Sequence, residues 1–396
     1  MQASQFGCLY CFSRKRTRWW AKKGLHQASV RAFERRLNRV ADGLFASALD
    51  EFLGARVPIQ LGGLHDPFTP RERMLGVTLR LLKILRDRKY PTLISTKGDL
   101  VAEQEYLDLL KEMMVVVRFS AAGVSERYRL QIDRRCADFD RTLEKISKLA
   151  RNGVVTALRI QPVIPGFEQD ALDMARKAAA AGARRISFEY LKLPKESVAN
   201  EIKILSSVVG FDLLKHMSRA GLSTVGWDYS LISCVKRPFV LEARKVCHSA
   251  GVSFGAGDTD FIPLSDGDGC CGSTSDLLPG SSQFKANLSG IVKLGSQGQD
   301  QKVRFDQLKT IWAPQRPIST YLDTRSRGPK NSGHTSDWLS LLARRWNGEC
   351  GPYSPDFFYG VNWQGECDRD GMRIYDASEL ADALTPNTNR SQRAFS

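Results

Sequence analysis

The chain has 396 residues, 42% of them apolar and 26% charged, the make-up of a soluble globular protein with one domain of about 200–250 residues plus an appendage, or two to three smaller ones. Its net charge of +15 favours polyanionic partners such as nucleic acid, although charge by itself speaks to steering and solubility and not to fold. No apolar run reaches the roughly 18 residues of a membrane span, the N-terminal stretch lacks the apolar centre of a signal peptide, and nine cysteines argue against a disulfide framework, so a cytoplasmic setting without membrane contact is expected.

The first feature along the chain is Gln5-Phe6-Gly7-Cys8-Leu9-Tyr10-Cys11-Phe12. Cys8 and Cys11, three apart on a tight turn, can turn both sulfurs to one centre, and soft thiolates select zinc or iron–sulfur clusters. A redox pair or two unrelated thiols is the plain alternative. Then comes Arg14-Lys15-Arg16-Thr17-Arg18-Trp19-Trp20-Ala21-Lys22-Lys23. Basic residues interleaved with aromatics suit a phosphate backbone and stacked bases; they equally suit a solvated helix edge with both tryptophans turned inward. Val30, Phe33, Leu37, Val40, Leu44 and Leu49 recur at three- and four-residue steps and predict one amphipathic helix over 28–53.

From Val57 the rhythm changes. Strands predicted at 57–61, 92–96, 115–119, 154–160 and 185–190 alternate with helices at 71–88, 103–113, 138–151 and 169–181. Thr69-Pro70 introduces the first of these helices and Asn152-Gly153 closes the third. Strands joined through helices run parallel, so the pattern predicts an α/β fold, a partial (β/α)6 TIM-like parallel barrel. Functional side chains gather where such strands end. Those ends carry Gly62-Gly63-Leu64-His65-Asp66, Ser95-Thr96-Lys97, Ser120, Arg159 and Glu189, and polar residues at all five point to a polar ligand in the mouth.

Together these residues resemble the radical S-adenosylmethionine superfamily, and within it the spore photoproduct lyase-like branch described as DNA repair photolyases. The likeness covers 5–194 and continues more loosely to Gly272. It implies a 4Fe-4S cluster held by a CxxxCxxC loop with an aromatic residue before the last cysteine. Cys8, Tyr10 and Cys11 match; the first cysteine's position holds Ser4, whose hard, protonated hydroxyl is a poor iron ligand. The strand that should precede the loop has only Met1-Gln2-Ala3 in its place. One event is expected to explain both losses, a truncated or wrongly started longer protein, with a degenerate homologue as the competitor.

The resemblance further implies that Gly62 and Gly63 meet the amino group of S-adenosylmethionine and that Asp66-Pro67-Phe68, with Pro70 and Glu72, stands for a conserved loop of that branch. Ser95, Thr96 and Lys97 match its STK segment, Ser120 and Arg159 fall where ribose and methionine carboxylate are held, and Ile164 packs on adenine. With an intact cluster the implied chemistry is one-electron cleavage of S-adenosylmethionine to a 5'-deoxyadenosyl radical, with flavodoxin or ferredoxin as electron donor. With two thiolates, low or absent activity is the expectation.

Further on stand Cys234, Cys247 and the adjacent pair Cys270-Cys271, among the turns Gly255-Ala256-Gly257-Asp258 and Asp266-Gly267-Asp268-Gly269. Adjacent cysteines seldom bridge each other, so Cys270 and Cys271 are candidates for the thiol with which the lyase-like branch returns hydrogen to a product radical. Buried thiols, or zinc ligands paired with Cys247, are the alternative. Residues 273–335 read as a Gly/Ser-rich linker, 336–380 with Trp338, Trp346 and Trp363 as a small aromatic cap, and 381–396 as a loose tail. Of the five histidines only His65 falls in the predicted mouth. The functional expectation is a radical S-adenosylmethionine lyase-type enzyme acting on nucleic acid. Its alternatives are an inactive barrel that grips nucleic acid through 14–23 and a zinc-stapled binding protein using Cys8, Cys11, Cys270 and Cys271.

Overall fold

The computed structural model describes residues 6–11, 28–63, 65–194, 198–225, 228–267, 277–278, 284–316, 337–349 and 353–385. They fall into two compact units: the first holds those up to Asp258 together with 277–278, the second those from Thr259 to 267 and from Phe284 onward.

The first unit opens with α1 (Val30–Ala41), capped by Ser29, whose side chain accepts from Ala32 N. It stops at Asp42 because Gly43 turns left-handed (φ +75), and a new cap at Ser47 starts α2 (Ala48–Gly54). The single helix expected over 28–53 is therefore two. Leu44 and Leu49, which a continuous helix would bury, are 61% and 46% exposed. After β1 (Ile59–Leu61), Gly76 (φ +56) likewise divides the next helix into α3 (Glu72–Leu75) and α4 (Val77–Asp87).

The chain continues through β2 (Thr92–Thr96), α5 (Gln104–Lys111), β3 (Val115–Gly123), α6 (Glu126–Ile132), α7 (Phe139–Arg151), β4 (Val155–Val163), α8 (Glu168–Ala180) and β5 (Arg185–Tyr190). An excursion follows: β6 (Leu193–Pro194), α9 (Val198–Val209), α10 (Leu213–Ala220), β7 (Leu222–Val225) and β8 (Asp228–Leu231), with β6, β8 and β7 paired antiparallel in that order. Helix α11 (Ser233–Ser249) then leads to β9 (Ser253–Ala256). β1, β2, β3, β4, β5 and β9 make one six-stranded sheet in that order, every neighbour parallel. Strand order never reverses, so every crossover advances in one direction. This is the winding of a partial α/β barrel and not of a doubly wound sheet, whose order switches midway.

The sequence pattern predicts five of these strands. The sixth, Ser253–Ala256, carries the Gly255-Ala256 that reads as a turn. Gly257 follows it because a Cβ there would lie 2.7 Å from the Cβ of Glu189.

Register fixes which side chains share a face. Paired residues of parallel strands point the same way, so Leu93, Ser95, Val116, Arg118, Ala157, Arg159, Arg185, Ser187 and Glu189 share one side. The opposite side presents Ile94, Val117, Phe119, Leu158, Ile160 and Phe188 to the helices: Lys145 of α7 lies over the Phe119 ring at 5.4 Å and Phe188 meets Phe239 of α11 edge-on at 5.6 Å. The inner side is apolar only at its N-terminal end, where Leu93, Val116 and Ala157 pack with Leu278. Toward the strands' C-terminal ends it becomes polar and charged.

The second unit contains α12 (Leu288–Ser296), β10 (Lys302–Val303), α13 (Trp338–Trp346), β11 (Asn362–Cys367), β12 (Arg373–Asp376) and α14 (Ser378–Leu384), with an antiparallel sheet ordered β10-β12-β11. Trp346 is fully buried between Phe305 and Tyr375, at 5.2 and 5.6 Å between ring centroids, and its indole N–H donates to Arg373 O at 2.7 Å. The described part of 273–335 is thus not a linker: Phe305 and β10 belong to the aromatic unit itself. Nor is the chain loose at 381, because α14 runs to Leu384 with Leu380 and Ala381 buried. Among the described residues no helix is long and apolar enough to cross a membrane.

Candidate functional site

The CxxC loop is docked on the turn that follows α6. Leu9 N donates to Ile132 O at 3.0 Å and Arg135 N to Phe6 O at 3.2 Å, so both strands of the loop are tied to one segment. Cys11 N donates to Cys8 O at 3.3 Å, which makes the tight turn that the i, i+3 spacing predicts. Gly7, just before this turn, takes a left-handed conformation (φ +64) that suits glycine. Phe6, Cys8 and Leu9 are buried.

Asp133 joins this loop to the sheet. Its Oδ1 accepts from the Tyr10 hydroxyl at 2.6 Å; its Oδ2 accepts from Lys97 Nζ and from Ala122 N, each at 3.2 Å. Lys97 Nζ also donates to Ser120 O at 2.8 Å. One carboxylate therefore fastens the loop to the ends of β2 and β3. Burial pushes the Asp133 pKa up, but Lys97 and the Tyr10 hydroxyl outweigh it and hold the group below the usual carboxylate range. For Lys97 burial acts downward, and the Asp133 charge with the sulfurs of Cys8 and Cys136 turns the net shift upward. The Tyr10 phenol is pushed well up, first by burial and then by Asp133. At neutral pH the three groups stand as carboxylate, ammonium and phenol.

Cys136 arrives on the same turn, its N–H donating to Asp133 O at 2.9 Å. The ligand atoms of Cys8, Asp133 and Cys136 lie within 4.8 Å of one another. A hydrogen bond between the two sulfurs, followed by burial, raises the Cys8 thiol; the same bond lowers Cys136. Cys8, Cys11 and Cys136 are all free of disulfides. A 4Fe-4S cluster is held by thiolates, and the described residues supply soft sulfur donors on and beside the loop, so the chemistry of the donor set fits that group. Asp133, with both oxygens engaged, orients the site.

The other predicted residues divide between scaffold and rim. Asp66 is half-buried and accepts from Phe68 N at 2.9 Å, Thr96 Oγ1 at 2.7 Å and Lys97 N at 2.6 Å; desolvation of its carboxyl is the largest influence on it and raises it. Thr96 Oγ1 in turn accepts from Gly98 N at 2.9 Å. These two shape the turn that presents Lys97. Gly62, at φ +92, would place a Cβ 2.0 Å from Ser95 O, so it lets the β1 loop cross β2; at Gly63 the nearest atom is 3.9 Å away. Ser95 Oγ accepts from Arg118 Nη2 at 2.8 Å and from Gln60 Nε2 at 3.1 Å.

Arg159 pairs with Glu189, whose other oxygen accepts from Lys192 Nζ at 2.6 Å. Asp258, receiving Tyr190 N at 2.9 Å, is flanked by Lys192 and Lys236 at 3.6 and 3.5 Å. Ile164 is fully buried just beyond β4, and His65 is exposed. Ser4, the basic run at 14–23, Cys270 and Cys271 lie outside the described residues.

The structure thus gathers Cys8, Tyr10, Lys97 and Ser120 at one place and sets Arg159 in a neighbouring charge cluster. Sequence reasoning misses Asp133 and Cys136, the two residues on which the arrangement turns. Their own i, i+3 spacing, like that of Cys8 and Cys11, is the one local signal they offer.

No family model matches the chain, and no curated protein matches it. Solved structures with a partly similar course include a spore photoproduct lyase variant with dinucleoside spore photoproduct, 13% identical over 64% of this chain and 73% of that one, TM-score 0.45. Streptococcus suis SuiB bound to S-adenosylmethionine is 13% identical over 55% of this chain and 46% of its own, TM-score 0.36. The same protein bound to the precursor peptide SuiA is 12% identical over 71% and 60%, TM-score 0.37. The chain spans about half the length of the SuiB structure with S-adenosylmethionine, and at these TM-scores the likenesses carry no argument, so the description of the fold stands on its strand order and register alone.

Proposed function

We propose that this chain is a radical S-adenosylmethionine protein of the spore photoproduct lyase-like kind, with a thiolate-held centre on residues 6–11 and S-adenosylmethionine across the polar end of the sheet's inner side. The observation that carries the reading is the docking of a Cys8-Leu9-Tyr10-Cys11 turn, through Asp133 and Lys97, at the C-terminal ends of β2 and β3. That is where the catalytic groups of α/β barrels collect. Cys8 and Cys11 would hold the cluster, which when bound supplies the electron that breaks a sulfonium carbon–sulfur bond.

The chain's own residues do the binding and the shielding. Arg159 and Lys192 offer charge to a carboxylate, and Glu189 between them offers it to an ammonium or a sulfonium. Ser95 and Arg118, one layer lower, present polar groups to hydroxyls. Phe6 and Leu9, beside Cys8 in the chain, are buried with it and keep water from the sulfur; the Cys136 hydrogen bond and burial raise the Cys8 thiol, and the Lys97 ammonium opposes them. A flavodoxin- or ferredoxin-type electron donor, a nucleic-acid substrate and a cytoplasmic setting complete the proposal. The test is anaerobic reconstitution with iron and sulfide, then incubation with dithionite and S-adenosylmethionine. Iron uptake, a visible charge-transfer band and 5'-deoxyadenosine above the protein-free background are expected; a chain that takes up no iron and does not retain S-adenosylmethionine in equilibrium dialysis overturns the proposal.

A zinc-stapled chain is the second reading, favoured by one observation. Ligand atoms of Cys8, Asp133 and Cys136 within 4.8 Å of one another suit a single tetrahedral ion, whose sulfur ligands stand closer together than thiolates on separate irons.

A further inference from the structure

We infer that Cys136 is the third thiolate of the metal centre and takes the place that Ser4 cannot fill. The inference rests on the proposal that residues 6–11 hold a thiolate-bound centre. Two protein thiolates leave a cluster under-ligated, and a serine hydroxyl is too hard and too fully protonated to make up the number. Cys136 is far from Cys8 in sequence, yet its sulfur lies within 4.8 Å of the Cys8 sulfur and of an Asp133 oxygen. Nothing about chain connectivity forces that meeting.

The turn that presents Cys136 is braced as a ligand-bearing segment would be. Asp133 N donates to Arg129 O at 2.7 Å, and Cys136 N to Asp133 O at 2.9 Å. Arg129, itself buried, donates to Ala137 O at 2.7 Å and to both oxygens of Glu126 at 2.8 and 2.6 Å, fixing the segment on each side of the cysteine. Cys136 keeps partial exposure while Cys8 is buried, so a metal can enter from the Cys136 side. Asp133 lies close enough to be a ligand, but Tyr10, Lys97 and Ala122 already occupy its oxygens. It positions the two segments whose sulfurs converge. On metal binding each thiol gives up its proton to solvent and its sulfur takes the metal, with no change in oxidation state of the chain.

The test uses the full chain as the parent and as Cys136→Ser, Ser4→Cys/Cys136→Ser and Cys234→Ser, the last an exposed cysteine elsewhere. Each is loaded anaerobically either with ferrous iron and sulfide or with cobalt(II) as the spectroscopic stand-in for zinc, and bound metal, sulfide and the thiolate charge-transfer band are measured. In the parent chain, alkylation with mass spectrometry additionally asks whether loading protects Cys136, a readout that needs no variant to fold. Cys136→Ser is expected to weaken metal binding by more than about 100-fold, beyond the loss typical of an outer-shell partner. Cys234→Ser is expected to match the parent, and restoring a cysteine at position 4 to recover iron in the double variant. If the parent takes cobalt but no iron, with Cys136 still required and protected, the inference stands and the radical S-adenosylmethionine reading falls. If Cys136→Ser loads iron and sulfide as the parent does, the inference is overturned and that reading survives. A parent chain that binds neither metal, or that shows only a Cys8–Cys136 disulfide, overturns the inference.

Discussion

Asp133 accepts hydrogen bonds from three separate segments, the cysteine loop through Tyr10, the end of β2 through Lys97 and β3 through Ala122. Removing its charge leaves Lys97, 12% exposed at its side chain, without a counter-ion. Asp133→Asn is therefore expected to cost about 3–5 kcal/mol in urea denaturation, the usual penalty for breaking a buried pair from one side. Adding Lys97→Met should recover a large part of it; a double variant no more stable than Asp133→Asn would refute the pairing. The same pair sets a pH dependence. The folded Asp133 pKa is depressed, so its contribution is fully present above the unfolded value of about 3.9 and is lost as pH falls through the folded one. The folded Lys97 pKa is raised, so its contribution is present below about 10.4 and is lost as pH rises through the folded value. Urea midpoints should then fall away below about pH 4, and less steeply in Asp133→Asn. An acid limb equally steep in both chains would show that other carboxylates control it. At this scale Cys8, Tyr10 and Lys97, which the structure brings together around Asp133, are marked in the sequence by motif spacing or a strand end. Asp133 and Cys136 are not, since what matters about them is tertiary: a partner far away in sequence.

The strands of the sheet are legible as elements, because β-branched runs between amphipathic helices admit little else, and β2 and β5 fall at the predicted bounds. The breaks are less so. Periodicity carries through Gly43 and Gly76, and only the left-handed backbone at each shows that a helix has ended. The sixth strand is hidden for the opposite reason: Gly255 within it lacks strand propensity, and close packing against Glu189 is what selects Gly257 just beyond its end. Gly62 and Gly63 separate these two uses of glycine by experiment. Gly62→Ala must put a methyl group into the carbonyl of Ser95 from a left-handed backbone, and a loss of about 3 kcal/mol in stability is expected. Gly63→Ala, with its nearest neighbour 3.9 Å away, should change stability by less than about 1 kcal/mol. Chemical denaturation of both variants decides it, and equal losses would mean that the β1 loop does not pass β2 as described.

For the molecule as a whole, chain-ordered parallel strands make the barrel winding readable from element order, whereas the second unit is not readable as a unit. Its strands are two to six residues long, and its core joins Trp346 and Tyr375 of the aromatic stretch to Phe305, which lies in a composition that resembles a linker. Charge is the remaining whole-molecule property, and it supports a testable statement about polyanions. Lys and Arg number 58 against 43 Asp and Glu, giving +15, and 14–23 contributes six basic residues and no acidic one. Elsewhere many cations already have partners, such as Arg73 with Glu103 and Arg86 with Glu112 at 3.2 Å, which lessens what they can offer a phosphate. The basic run should then dominate nucleic-acid binding. For duplex DNA each neutralised phosphate contributes about −0.9 to the slope of log affinity against log salt, so six contacts account for a slope of about −5. Replacing Arg14, Lys15, Arg16, Arg18, Lys22 and Lys23 together by Gln should remove most of that slope, measured by fluorescence anisotropy across about 50–200 mM salt. Because the hydrogen bonds that fasten the cysteine loop come from Tyr10, Lys97 and Ala122 to Asp133, metal uptake by the variant should match that of the parent. A slope that survives the replacement would move the polyanion-binding surface away from 14–23 and onto the remaining basic residues.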